Sequence, residues 1–251
     1  MTQDNPLEAN VVFGATGGIG AAVCRMLARR GSKLFVVGRD VKKTTDLGEE
    51  LSSPHNIIDT ISPDSFEECL DAAKSEFGQV TGVVNCIGSL LLKPAHRTSV
   101  EDWDTTLATN LGSAFATVRA SAATMRQTGG SVVLASSAAA LTGLPNHEAI
   151  SAAKSGIIGL MRSAAASYAG SGLRFNAVAP GLVKTEMTEQ LWSNETLAAG
   201  SIAMHALGRL GEPEDVASML AWLLDPTNNW VTGQVIGIDG GLGHIRGRAK
   251  R

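Results

Sequence analysis

The sequence predicts an α/β fold: a single doubly wound domain with a mostly seven-stranded parallel sheet and helices on both faces. Short apolar runs alternate with helical patterns along the chain, which is typical of parallel strands joined by crossover helices. The first apolar run also ends in a glycine-rich turn that opens the first helix. A length of 251 residues suits one α/β domain, and no repeat or linker divides residues 1–251. The basic end, about residues 244–251, is expected to be loose.

The first half of the chain begins with an apolar run at residues 10–13. The helix that follows it keeps its apolar residues on one side and ends at Gly31. The helix over 62–78 begins at a Ser-Pro pair and carries acidic residues in its first turns, as helix starts prefer. The further strands predicted in this half are residues 33–40, 56–61 and 80–88.

The second half continues the alternation. A long helix over 99–130 ends in paired glycines, an Ala-rich helix covers 150–169, and another covers 212–226. Pro180 interrupts the strand predicted over 173–181. The remaining predicted strands are residues 131–137 and 231–241.

Composition limits the possible partners. A net charge of -3 with 18% charged residues gives no basic surface for nucleic acid or an anionic membrane. The N-terminus does not resemble a signal peptide, and the apolar runs are too short or too glycine-broken to span a bilayer. Three cysteines without CxxC spacing predict reduced thiols in a cytoplasmic or organelle-matrix protein. No metal site is expected, since these histidines lack ligand spacing: His55, His96, His205 and His244.

Three glycines mark the turn after the first strand. Gly14, Gly18 and Gly20 have the spacing G-x-x-x-G-x-G. Such a turn lets phosphate oxygens approach the backbone N–H groups at a helix N-terminus. Glycine-rich turns also occur where packing is tight, so the turn alone leaves both readings open.

Further segments follow this turn in a fixed order. They are "IIDTISPDS", "NCIG", "WDTTLATNL", "NAVAPGLVKTEM" and "GRLGEPEDVASMLAWLLDP" with "VTGQVIGIDGG". Together with "GATGGIG", which follows Phe13 where Thr is usual, the ordered set resembles the short-chain dehydrogenase/reductase family, in its ketoacyl-reductase-like branch. The resemblance runs from residue 11 to about 241, and it implies a Rossmann-type fold, a nicotinamide cofactor and oxidoreductase activity.

The resemblance also implies which residues bind the cofactor. The glycine turn would hold the phosphates, Asp59 and Thr60 would meet the adenine, and Lys154 would bond the nicotinamide ribose. The segment that begins at Pro180 would hold the nicotinamide side. The expected set is Gly14, Thr16, Gly18, Ile19, Gly20, Arg39, Asp59, Thr60, Asn85, Gly88, Lys154, Pro180, Gly181, Val183 and Thr185.

The end of the second strand bears on the choice of cofactor. An Asp there would bond the ribose 2′-OH and repel a 2′-phosphate, whereas an Arg would pair with that phosphate. This chain has Gly38 followed by Arg39, which favours NADP(H) over NAD(H). The alternative is that Arg39 is an exposed loop cation and that the neighbouring Asp40 weakens a phosphate site.

The resemblance implies a catalytic set of Ser, Tyr, Lys and Asn, of which three members are present. Ser137 would polarise a carbonyl, Lys154 would anchor the cofactor, and Asn110 would tie the relay to water. The Tyr position, four residues before Lys154, holds Ile150, which has no proton to give. Tyr168 lies about 21 Å further along the helix from Lys154 and cannot substitute.

His147 is the candidate replacement. It precedes Lys154 by seven residues, the spacing that the catalytic Tyr has in the enoyl-reductase branch of the same superfamily. If Asn146 is the N-cap, His147 falls in the first helical turn, where the helix dipole favours a neutral imidazole that could donate its N–H. The alternative is an ordinary loop histidine that faces solvent or pairs with Glu148.

These observations predict an NADP(H)-dependent oxidoreductase that reduces a carbonyl or a conjugated double bond with a donor other than tyrosine. The donor would be His147, or a water held by Lys154 and Asn110. The rival hypothesis is a cofactor-binding pseudoenzyme that acts as a structural or regulatory subunit, which the missing tyrosine favours. The retained Ser, Lys and Asn argue against it.

Two features predict the substrate and the assembly. In relatives the segment after Thr185 forms a substrate lid, so a partly apolar small-molecule substrate is expected if apolar residues of this chain line it. Those residues are Met187, Leu191, Trp192 and Met204. The small side chains over 150–169 permit close helix packing, and the resemblance implies a homotetramer.

Overall fold

The computed structural model describes residues 8–245, which contain seven strands in one sheet. All pairings are parallel, and the order is β3-β2-β1-β4-β5-β6-β7. The strands are β1 Ala9–Phe13, β2 Lys33–Gly38, β3 His55–Ile57, β4 Gly82–Asn85, β5 Gly130–Ala135, β6 Leu173–Pro180 and β7 Val235–Ile238. The chain therefore leaves β1 toward one edge of the sheet and returns at β4 toward the other, which opens a crevice beyond their carboxyl ends.

Helices cover both faces of the sheet, as the sequence predicts. The helices are α1 Gly18–Arg29, α2 Val41–Glu50, α3 Pro63–Phe77, α4 Val100–Leu107, α5 Ser113–Met125, α6 Glu148–Tyr168, α7 Glu189–Trp192, α8 Glu195–Met204 and α9 Pro213–Leu224. One face of the sheet packs against α3, α5 and α6 through buried side chains such as Phe66, Met125 and Met161. The other face packs against α1 and α9 through Leu27 and Leu220.

Helix α2 is missing from the sequence prediction. Its ten residues are mostly charged or polar, so the apolar periodicity that identifies a helix is weak. The Asp40 carboxylate caps the helix by accepting a hydrogen bond from the backbone N–H of Lys43 at 2.9 Å. Leu47 is buried against the sheet and fixes the helix there.

The helix expected over 99–130 is two α-helices, α4 and α5, joined by a π-helical turn at Ala108–Gly112. The last strand is also shorter than the expected 231–241, since β7 spans four residues. None of the helices within residues 8–245 combines the length and apolar character needed to cross a membrane. The expectations for the extreme N-terminus and for the basic tail beyond Ile245 lie outside the described residues.

Candidate active site

The glycine turn lies at the carboxyl end of β1, in the crevice between β1 and β4. Helix α1 begins at Gly18, and within residues 8–245 no side chain caps this end. The first turn of α1 carries no acidic residue. Its N–H groups and the positive end of the helix dipole are therefore open to an anion, which is the environment that a dinucleotide pyrophosphate needs.

Close packing requires glycine at three positions of this turn. Gly14 has φ +71°, and a Cβ there would lie 2.8 Å from the backbone nitrogen of Ile87. A Cβ at Gly18 would lie 2.7 Å from Cγ2 of Thr185, and one at Gly20 would overlap the Gly14 carbonyl. The turn is thus packed against the loop after β4 and the segment after β6, so three chain segments surround one cradle.

The remaining residues expected in the turn lie around this cradle. Thr16 is partly buried and lies beside Gly38, where an added Cβ would be 3.1 Å from Thr16 Cγ2. Ile19 is partly buried and packs against the apolar core below α1. The turn and the end of β2 therefore adjoin.

The residues expected at the adenosine end follow β2 and β3. Arg39 and Asp40 are both exposed directly after Gly38. The Asp40 carboxylate caps α2 through one oxygen, so it is engaged in the fold while its negative charge stays next to Arg39. Asp59 and Thr60 are exposed just beyond the end of β3.

Asn85 lies at the end of β4 and is buried, with its side chain satisfied inside the protein. Its amide donates to the Thr117 hydroxyl at 3.0 Å and to the Ser113 hydroxyl at 3.3 Å, and its oxygen accepts from the Ile87 N–H at 2.8 Å. The structure therefore gives Asn85 the role of shaping the loop that reaches Gly88. A direct contact between this side chain and a cofactor does not fit these bonds.

Asn110 lies in the π-helical turn and is fully buried. Its oxygen accepts from the Ser89 N–H at 3.2 Å, and its amide donates to the Ser89 hydroxyl and to the Thr106 carbonyl, each at 3.0 Å. A Cβ at Gly88 would lie 3.1 Å from Asn110 Oδ1 and 3.3 Å from Lys154 Nζ. Asn110 therefore holds the end of the β4 loop next to Lys154, and π-helical turns often occur at functional sites.

Lys154 is 7% exposed on α6, and its ammonium donates to the Ala135 carbonyl at 2.9 Å. No acidic side chain within residues 8–245 forms an ion pair with it. Burial lowers the pKa of Lys154 to about 8, because a charged ammonium is costly to remove from water. Burial also raises the pKa of the neighbouring Cys86 thiol to about 12, so that thiol stays neutral. Lys154 is thus a proton-holding group poised close to neutral pH.

The two serines after β5 have different roles. Ser136 is buried and donates to the Lys154 carbonyl at 2.9 Å, which ties β5 to α6. Ser137 is partly buried, and its oxygen accepts from the Ala139 N–H at 3.1 Å. That bond uses only a lone pair of the Ser137 oxygen. The Ser137 hydroxyl can therefore still donate a hydrogen bond to a substrate oxygen.

Ile150 occupies the position of the missing tyrosine, and it is 3% exposed on α6. His147 is the N-cap of this helix, and Asn146, the expected N-cap, instead has φ +63°. The Nδ1 atom of His147 lies 2.7 Å from the Pro145 carbonyl oxygen. Because a carbonyl can only accept, Nδ1 must carry the proton, and Nε2 of the neutral ring has no hydrogen. The hypothesis that neutral His147 donates to substrate does not fit this geometry.

The segment expected to hold the nicotinamide side leaves β6 at Pro180. The Gly181 N–H donates to the Ile238 carbonyl at 3.1 Å, and Val183 is buried and bridges to Gly211. The carbonyl of Thr185 accepts a hydrogen bond from the Trp192 indole at 2.9 Å. Backbone bonds on both sides therefore fix this segment above the glycine turn.

A buried histidine that the sequence does not indicate as functional lies behind this segment. His205 is 3% exposed, and its Nε2 atom accepts from the Leu182 N–H at 3.1 Å. In the sequence it is a histidine without ligand spacing, and Leu182 lies 23 residues away from it. Among residues 8–245, no group of three or more His, Cys, Asp or Glu side chains could hold a metal ion.

The apolar residues after Thr185 are poorly covered. Met187 is 52% exposed and Met204 is 48% exposed, and α8 contains no buried residue. Leu191 and Trp192 are partly buried. This segment, residues 186–204, thus carries exposed apolar side chains among polar and acidic ones.

These features define a class of protein, the dinucleotide-dependent oxidoreductases with a doubly wound sheet. The features are a crevice where the strand order reverses, a glycine turn that can hold phosphates, and a serine and a buried lysine near the carboxyl ends of the strands. A family profile described as enoyl-(acyl carrier protein) reductase matches residues 14–243. The chain belongs to the short-chain dehydrogenase/reductase family, and it is an oxidoreductase of that family.

Individual relatives agree with this assignment. The chain is 33% identical to 3-oxoacyl-[acyl-carrier-protein] reductase FabG of Thermotoga maritima, over 94% of this chain and 98% of that one. It superposes on a short-chain type dehydrogenase/reductase from Mycobacterium ulcerans with a TM-score of 0.91 and 31% identity, covering 96% of this chain and 91% of the other. It also resembles a Tyr-to-Phe variant of ElxO with NADPH bound, with a TM-score of 0.88 and 26% identity over 94% and 98% of the two chains.

Proposed function

We propose that this protein is an NADP(H)-dependent reductase of a carbonyl, or of a conjugated double bond, in a partly apolar small molecule. The observation that best supports this proposal is the arrangement of side chains around Gly88. Asn110 and the buried ammonium of Lys154, which forms no ion pair within residues 8–245, both lie next to Gly88, although the tyrosine position is occupied by the hydrocarbon side chain of Ile150. Burying that charge without an acidic partner costs stability, which supports a role for Lys154 at the cofactor or in the reaction.

The reduction adds a hydride to the substrate carbon and a proton to its oxygen. A bound nicotinamide supplies the hydride. Ser137 donates its hydroxyl hydrogen bond to the substrate oxygen and so stabilises the developing negative charge. Lys154, charged below its pKa of about 8, delivers the proton through a water beside Asn110 and recovers it from solvent.

His147 has no part in this scheme, since its N–H is used on the Pro145 carbonyl. Loss of its imidazole should leave reduction within about twofold of wild type. Loss of the Lys154 ammonium should abolish it, because general acid catalysis contributes about 10²–10⁴-fold.

The test has two stages. NADPH binding is first measured by fluorescence for the wild type, His147→Ala and Lys154→Met. NADPH consumption is then followed with a panel of ketones and enones. The proposal expects binding and turnover in the wild type and in His147→Ala, and turnover lost in Lys154→Met. Tight binding with no turnover by the wild type on any compound would instead support the pseudoenzyme, which the buried Ile150 favours.

The choice of NADP(H) rests on Arg39, which is exposed at the end of β2 while Asp40 is engaged as a helix cap. The ElxO structures with NADP and NADPH bound lend support by analogy. A guanidinium that pairs with the 2′-phosphate adds a charge-assisted hydrogen bond of about 1.5–3 kcal/mol.

Arg39→Ala should therefore raise the KM for NADPH by about tenfold to a hundredfold and leave the KM for NADH nearly unchanged. Steady-state kinetics with both cofactors measures this. Arg29→Ala, an exposed arginine at the far end of α1, serves as the control. Equal loss with both cofactors would contradict a role for Arg39 at the phosphate.

We further propose that the protein is a homotetramer in the cytoplasm. Phe115 on α5 is 50% exposed and lines a cavity of about 280 Å³ with Tyr168 of α6, so an apolar face is available for a second copy. The three cysteines are free thiols, which suits a reducing compartment.

A further inference from the structure

Both ring nitrogens of His205, at the end of α8, form hydrogen bonds within the protein. Its Nδ1 atom lies 2.7 Å from the Ser201 carbonyl oxygen, so Nδ1 carries a proton and donates. Its Nε2 atom accepts the backbone N–H of Leu182 at 3.1 Å, so Nε2 carries none. The ring is therefore a neutral imidazole with an assigned tautomer, and each nitrogen holds a different chain segment.

The ring also packs directly against the turn that leaves β6. A Cβ at Gly181 would lie 2.6 Å from His205 Nε2, so glycine is needed for the two to meet. On the far side, a Cβ at Gly240 would lie 3.5 Å from that of His205, and the Leu207 N–H donates to the Gly240 carbonyl at 3.0 Å. Three segments, after β6, at the end of α8 and after β7, thus meet at one side chain.

We propose that His205 is a positioning residue that fixes the backbone of Leu182 and thereby shapes the half of the site that receives the nicotinamide. This inference rests on the proposed function. Leu182 lies between Gly181 and Val183, in the segment whose Thr185 touches the glycine turn at Gly18. Without this acceptor, the partly buried Leu182 N–H would lose its partner in the ring, and the cost of an unpaired donor favours local rearrangement.

Two isosteric variants separate the two bonds of the ring. In His205→Gln the side-chain oxygen reaches the place of Nε2 and can still accept from Leu182. In His205→Asn the shorter amide can still donate to the Ser201 carbonyl, but it cannot reach Leu182. The two variants are equally polar, so a difference between them reports on the Leu182 bond.

Calorimetry on the full chain would measure the Kd for NADPH and for 2′,5′-ADP, which represents the adenosine half of the cofactor. His205→Asn should weaken NADPH binding by about tenfold and leave 2′,5′-ADP binding within twofold. His205→Gln should bind both ligands within about threefold of the wild type. Unfolding temperatures of all three proteins verify that they are folded.

Several outcomes would overturn the assignment. An unchanged Kd for NADPH in His205→Asn would do so, and so would equal weakening of both ligands, which would mean a general structural role. Should His205→Asn fail to fold, His205→Leu, which also lacks an acceptor for the Leu182 N–H, takes its place with the same expected and contradicting results. Failure of the wild type to bind either ligand would instead refute the proposed cofactor, and the His205 role with it.

Discussion

At the scale of single residues, the exchange of a phenol for hydrocarbon at Ile150 changes which group can hold a proton. A tyrosine there would add a phenol hydroxyl one helical turn before Lys154. With Ile150 buried in its place, the ammonium beside Gly88 and Asn110 is the ionisable group at this point of the crevice. Its pKa is lowered by desolvation, which outweighs the opposite effect of the neighbouring Cys86.

The pH dependence of reduction should report this ammonium. Below pH about 8 Lys154 is charged and can give a proton, and above that pH it is neutral. The kcat for carbonyl reduction should therefore fall about tenfold per unit as pH rises past 8, and the reverse oxidation should not fall. Stopped-flow rates between pH 6 and 10 measure the profile.

Ile150→Tyr provides the matched comparison, because a phenol there takes over the donation and should move the midpoint of the profile. A wild-type kcat that stays flat from pH 6 to 10 would argue against Lys154 as the proton source.

At the scale of elements, the π-helical turn between α4 and α5 is the feature that periodicity does not reveal. The apolar pattern over 99–130 continues through the turn, so the sequence predicts one helix. The extra residue of the turn directs Asn110 inward, where its three bonds hold Ser89 and the preceding Thr106. Such a turn forms because of contacts with a loop twenty residues earlier, which local patterns cannot show.

Asn110→Leu should lower the free energy of unfolding by about 1–3 kcal/mol, since the partly buried Ser89 N–H loses its partner. Urea denaturation measures the change. Thr128→Val, which alters the hydroxyl of an exposed residue in the turn after α5, is the control and should have a smaller effect. Equal stability of Asn110→Leu and wild type would show that the turn does not depend on this side chain.

Helix α2 and the start of α6 show the same limit on sequence reasoning. The charged residues of α2 weaken its apolar periodicity, so the sequence does not predict it. The start of α6 depends on whether Asn146 or His147 is the N-cap, and the hydrogen bond from the Lys93 N–H to the Asn146 carbonyl helps to fix this. By contrast, the strands with long apolar runs are predicted well, because burial on both faces requires such runs.

At the scale of the whole molecule, alternation of strands and helices was enough to predict the parallel sheet and its two covered faces, whereas the place of the crevice follows from the strand order. The motif residues Gly14, Ser137 and Lys154 could be predicted because their segments resemble those of the family. The roles of Asn85 and His205 could not, because they are defined by bonds to residues far apart in the chain. The tautomer of His147 likewise depends on a loop carbonyl.

The proposed assembly can be tested with a matched pair of substitutions. Phe115 and Met187 are 50% and 52% exposed, on α5 and after Thr185 respectively. Phe115→Glu should place a charge in the shared face and convert tetramers to smaller species, whereas Met187→Glu should not. Light scattering coupled to size exclusion measures the mass. A tetramer that survives Phe115→Glu would place the interface elsewhere.

The most direct measurement of whether this crevice performs chemistry follows the hydrogen itself. Wild-type protein is incubated with NADPH that carries deuterium at the transferable position and with the ketone and enone panel, and products are examined by mass spectrometry. The proposal predicts one deuterium on carbon in a product, with the hydrogen on oxygen drawn from solvent, and no such product from Lys154→Met. Stoichiometric NADPH binding without deuterium transfer to any compound would contradict it.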